Sequence, residues 1–116
     1  MKLEELLQFD DIMIQCHDNP DADAIASGFA LWEYLTGRGK SPRLVYSGSW
    51  PVSKPNLKRM CQLCRIPLEH LPDPESVPEA ELLVTVDCQP GQNNVSPLRG
   101  GRVAVIDHHT VSGQKV

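Results

Sequence analysis

Two apolar runs constrain the fold most, "ELLVTVD" at 81–87 and "GGRVAVID" at 100–107. Neither alternates apolar with polar residues along Leu82–Val86 or Val103–Ile106. A strand with one wet face alternates, whereas a strand covered on both faces reads as a continuous apolar run. Such strands belong to the enclosed sheet of an α/β domain, and each of these runs into an aspartate.

The rest of the chain supplies helices between strands. In "KLEELLQFD", Leu3, Leu6 and Leu7 fall at helical spacing and predict a short helix over 2–9. "DIMIQC" at 11–16 is a brief strand. Ile25, Phe29 and Trp32 then recur at i, i+4 and i+7, with Leu31 and Leu35 widening the stripe. Gly37 and Gly39 close that run, so a helix is expected over 24–37, with Asp23 as its N-cap. "SPRLVYSGS" holds a second strand centred on Leu44, Val45 and Tyr46. "KPNLKRMCQLC" reads as a helix over 54–64, with Leu57, Met60, Cys61 and Cys64 on one side. The proline-rich, acidic segment 71–81 reads as irregular surface. Strands alternating with helices predict an α/β fold with a mostly parallel sheet flanked by helices.

At 116 residues the chain is one domain, with an ordinary apolar fraction of 41%. A formal charge of -4 argues against a dominant electrostatic nucleic-acid face, though not against contact at one locally basic or metal-bearing site. No apolar run reaches the roughly 18 residues of a membrane span. "MKLEELLQFDD" has no signal-peptide core, so a cytoplasmic location and free thiols are the expectation.

The polar residues fall where such a sheet would use them. Ligands of open parallel sheets bind outside the carboxyl ends of the strands. The first predicted strand ends at His17, with Asp21 and Asp23 close behind; the third ends at Asp87; the last ends at Asp107, His108 and His109. If the strands are parallel, all three clusters open on one edge, and His70 is the one histidine outside them. Each cluster has a plainer explanation of its own. Asp23 fits a helix cap, Asp18 beside Asn19-Pro20 fits turn chemistry, and adjacent histidines fit a solvated loop. Their coincidence at three strand ends favours a metal or phosphate site.

Carboxylates mixed with imidazoles suit Mn²⁺, with Mg²⁺, Fe²⁺, Co²⁺ or Zn²⁺ as alternatives, and the lack of thiolates leans toward Mn²⁺. Two divalent ions about 3.5–4 Å apart can share a bridging carboxylate and a hydroxide, and together neutralise a phosphoryl group. The helix start behind Asp23 adds a favourable potential for an anion.

Taken together, "HDNPDADAIAS", "LLVTVDCQPG" and "VAVIDHH" resemble the three leading motifs of the DHH phosphoesterase superfamily, in order and in strand context. The resemblance spans residues 12 to 109. It is nearest to the branch of nano-RNases and 3′-phosphoadenosine-5′-phosphate phosphatases rather than to the larger RecJ exonucleases. It implies two ions: His17 and Asp21 on the first, Asp23 and His108 on the second, and Asp87 bridging. It implies that His109 contacts substrate phosphate or protonates the leaving oxygen, and that Asp107 orients a histidine. Ser27 stands where the family often has Gly-Ser near the helix start; a hydroxyl there could contact phosphate, and a packed small residue is an equally good reading. The implied substrate is a phosphate ester, such as a short single-stranded RNA or DNA or a nucleotide.

Two departures accompany the resemblance. The family usually adds a metal-binding aspartate downstream of its DHH triplet and a C-terminal substrate domain, whereas seven residues, none acidic, follow His109 here. Residues 1–116 are therefore expected to form the front of a catalytic domain that is weakly active or inactive alone. The alternative is a non-catalytic nucleotide- or phosphate-binding α/β module. Cys61-x-x-Cys64 with His70 suggests zinc, but a fourth ligand is not evident, and an amphipathic helix burying its thiols is the better reading.

Overall fold

A computed structural model describes residues 3–18, 20–48, 51–86 and 98–106. After a short 3-10 helix at Leu3–Gln8 come β1 (Ile12–Gln15), α1 (Ala22–Thr36), β2 (Arg43–Tyr46), α2 (Pro55–Cys64), β3 (Leu68–His70), β4 (Ala80–Val86) and β5 (Gly100–Ile106). The five strands form one sheet in the order β3-β2-β1-β4-β5, and every pairing is parallel. The α/β class and the parallel sheet expected from the sequence are both present.

Alternation along each strand divides the core in two. Ile12, Ile14, Leu44, Tyr46, Leu82, Val84 and Val86 face one side, where Ala24, Ile25, Leu31 and Leu35 of α1 and Leu57 of α2 cover them. Met13, Val45 and Leu83 face the other side and pack with Val77, Ala80 and Leu98. Both faces of β4 are thus apolar, which is why its sequence does not alternate. β5 departs from that expectation. Val103 and Ile106 stay 48% and 38% exposed, because β5 ends the strand order while α1 lies over β1, β2 and β4.

Gly28 sets how closely α1 approaches the sheet. A Cβ there would stand 2.6 Å from Leu44 Cδ1 and 3.3 Å from Cys16 Sγ. On the flank of α1, Phe29 and Trp32 stack at 5.8 Å, and the Trp32 indole N–H donates to the Pro42 carbonyl. They shield the α1 stripe from the side rather than forming its centre.

α2 starts with Pro55 in its first turn, where a missing N–H costs nothing. Its buried side is narrower than its sequence suggests. Leu57 is buried and Met60 and Cys61 are partly so, but Cys64 is exposed. The expected burial of both thiols therefore holds only in part, since Cys64 lies in the last turn, clear of the sheet. β3 went unread because "LEH" between Pro67 and Pro72 carries no apolar run. Its three rungs to β2, Leu44↔Leu68, Val45↔Glu69 and Tyr46↔His70, come from tertiary pairing alone.

Candidate metal centre

The strand order places a topological switch between β1 and β4. The chain crosses from β1 outward to β2 and β3, then returns to the opposite side of β1 as β4 and β5. Connections diverge there, leaving a crevice at the carboxyl ends where open α/β sheets take their ligands. The register aligns Gln15 with Thr85 and Val86 with Ile106 at that edge.

His17 is carried to this edge by β1. The Cys16 N–H donates to the Val45 carbonyl at 2.9 Å, continuing the ladder one residue past the strand. The buried Cys16 thiol reaches the Ala24 carbonyl at 3.5 Å, tying the strand end to the first turn of α1. The His17 side chain is only 14% exposed, and its Nδ1 lies 2.8 Å from the Asp18 carbonyl oxygen. A carbonyl oxygen can only accept, so Nδ1 carries a proton, and in the neutral ring Nε2 keeps its lone pair. That nitrogen stands 4.0 Å from Asp21 Oδ1. This is too far for a hydrogen bond, so the two groups are near neighbours without a direct bond between them.

The N-cap of α1 is Asp21, not Asp23. Asp21 has extended backbone angles, φ -88° and ψ -179°, and its Oδ1 accepts from the Ala24 N–H at 2.9 Å. The helix accordingly begins at Ala22, two residues earlier than expected. Buried Ala24 and Ile25 explain the shift: their place against the sheet requires the helix to be already turning at that point. Asp23 becomes an exposed first-turn carboxylate, favourable to the helix dipole and free of the capping role. Asp21 spends Oδ1 on the cap and stays 65% exposed, so Oδ2 is open to a further partner.

An imidazole beside the Asp21 carboxylate offers donors of the kind that a divalent ion such as Mn²⁺, Fe²⁺ or Zn²⁺ takes. Among the described residues, no three His, Cys, Asp or Glu side chains stand close enough to complete a site. Asp87, Asp107, His108 and His109 lie outside the described residues. Ser27 sits half-buried in the second turn of α1.

Sequence reasoning left His70 out of the edge, but the structure ends β3 on it, two strands from β1. Its ring stacks on Tyr46 at 4.9 Å, and its Nε2–H donates to the Gly48 carbonyl at 2.9 Å. Tyr46 in turn accepts the Val52 N–H at 2.7 Å. These bonds pin the connection that follows β2. Gly48, at φ +104°, comes so near the end of β1 that a Cβ on it would sit 3.0 Å from Asp18 Cβ. The signal that would have found His70 is its position just before the Leu71-Pro72 break, but only strand pairing makes that break a strand end.

Residues 11–116 match the model of the DHH family, N-terminal domain. The match opens at Asp11, immediately before β1, and takes in all five strands. Among the described residues, no helix is long and apolar enough to cross a membrane.

Proposed function

The chain belongs to the DHH family, a family of metal-dependent phosphoesterases, and from that premise we propose that it carries a Mn²⁺-dependent two-metal site for hydrolysing short oligonucleotides or nucleotide phosphates. The observation that supports this most is the state of His17. Its Nδ1–H is committed to the Asp18 carbonyl, its Nε2 is available as a ligand in the neutral ring, and Asp21 lies beside it at the β1/β4 switch.

In this reading His17 and Asp21 would hold one ion, Asp23 and His108 the other, and Asp87 would serve both. When bound, two such ions bring the pKa of a shared water near neutrality and offset charge on the phosphoryl group. The protein's own residues do the rest. His109 contacts the substrate phosphate or delivers a proton to the leaving oxygen, and Asp107 orients a histidine. The N-terminus of α1, with Ser27 in its second turn, offers the phosphate a favourable backbone potential.

Calorimetric titration with Mn²⁺ reads the site directly and is the primary test, paired with hydrolysis of a short oligonucleotide by the longest available chain. Asp87→Ala is expected to abolish most Mn²⁺ binding and activity. If it lowers both by less than about tenfold, bridging by Asp87 is untenable. Phosphate binding without any Mn²⁺ binding would favour a non-catalytic module instead.

A further inference from the structure

Three polar side chains are buried in the described sheet: Gln15, Ser47 and Thr85, at 1%, 0% and 0% exposure. Gln15 has a partner, and the Ser47 hydroxyl donates to the Leu71 carbonyl. Thr85 differs. Its Oγ1 is buried and, among the described residues, is the one buried side-chain oxygen or nitrogen that makes no hydrogen bond. A buried hydroxyl left unpaired is costly, and native structures keep few of them without a reason. Valine would fill the same volume on a β-strand at no such cost.

The position of Thr85 supplies a reason. It is the penultimate residue of β4 and pairs with Gln15 across the β1/β4 switch, and His17 lies two residues beyond Gln15. In the chain, Asp87 follows two positions later. We propose that Thr85 is a positioning residue for the ion site, donating its O–H to an acceptor oxygen there, a carboxylate or a water, and holding it toward the ion. The inference rests on the metal-site reading above and adds a residue to it.

Calorimetric Mn²⁺ titration and metal-free thermal melts of the wild type, Thr85→Val and Thr85→Ser test it. Without metal, Thr85→Val should melt at or above wild type, because a methyl replaces a hydroxyl that has no partner. It should nevertheless bind Mn²⁺ about 10–100-fold more weakly, the usual loss when a group that orients a ligand is removed. Thr85→Ser, which keeps the hydroxyl, should bind close to wild type. If valine is not accommodated, Thr85→Ala carries the same expectation for affinity. A purely structural role would move the melt and leave the affinity alone. Wild-type affinity in a folded Thr85→Val, or equal losses in the valine and serine variants, overturns the role of Thr85 while sparing the metal site. A folded wild type that takes up no Mn²⁺ overturns the metal-site reading itself.

Discussion

The imidazole of His17 donates from Nδ1 to the carbonyl oxygen of Asp18, the very next residue, at 2.8 Å. A local backbone acceptor fixes the tautomer without any other side chain. When neutral, the ring therefore presents Nε2 before any ion arrives, and little reorganisation is needed on binding.

Replacing that ring should separate ligation from folding. His17→Ala gives up one hydrogen bond, worth about 1 kcal/mol, so the melt should fall only modestly. Its Mn²⁺ affinity should fall by more than the roughly 10–100-fold seen when a merely orienting group is lost. Titration calorimetry beside a urea melt reads both. A large stability loss with unchanged affinity would reverse the assignment.

Gly28 tests the packing that places the site. Gly28→Ala puts a methyl 2.6 Å from Leu44 Cδ1 and 3.3 Å from Cys16 Sγ. Leu44 is fully buried and has little room to move. Overpacking of this kind costs about 1–3 kcal/mol, which should outweigh the helix propensity gained over glycine. Urea denaturation should show a lower midpoint at unchanged slope. Because Cys16 immediately precedes His17, Mn²⁺ affinity should weaken along with stability.

How much of this was legible in the sequence depends on what set each feature. β4 was readable because burial on both faces writes itself as an apolar run from Leu82 to Val86. α1 was readable from its 3.6-residue stripe, yet its start was not. Asp21 and Asp23 are equally good caps locally, and the choice between them is made by Ala24 and Ile25 meeting the sheet. β3 was invisible because Leu68–His70 owes its extended form to β2, and His70 went astray with it. Cys64 was misassigned because helical periodicity gives the side a residue lies on but not where along the axis the sheet stops. His17 and Asp21 were legible as a pair, whereas the tautomer that would leave Nε2 to an ion depends on a backbone oxygen that no motif records.

The thiols of α2 should report that boundary. Burial, helped by the neighbouring Cys64, pushes the Cys61 thiol above its ordinary range, and Cys64 is exposed. A raised pKa means less thiolate at any given pH below it, and the thiolate is the reactive form. With a thiol-reactive disulfide at pH 8, Cys64 should be modified first and Cys61 more slowly. The gap in rate should narrow as pH rises. With Cys88 replaced by serine throughout, Cys64→Ser should remove the fast phase; a fast phase surviving in that variant would show Cys61 to be the accessible thiol.

Asp21 caps α1, and charge separates that task from the ligand role proposed for it. As a cap, its Oδ1 accepts the Ala24 N–H at 2.9 Å, and asparagine performs that task about as well as aspartate. As a ligand it needs its negative charge, which asparagine lacks. Asp21→Asn should therefore keep the wild-type melt within a few tenths of a kcal/mol while losing Mn²⁺ affinity, whereas Asp21→Ala should lose about 1 kcal/mol as well. Asp23 caps nothing, so Asp23→Asn should cost no more than about 0.3–1 kcal/mol of helix-dipole energy, and should act on the second ion alone. Thermal melts in the absence of metal, followed by Mn²⁺ titration of the same three variants, give a pattern that neither task alone produces. If Asp21→Asn binds Mn²⁺ as tightly as wild type, Asp21 is a cap and nothing more, and His17 must find its partner carboxylate elsewhere.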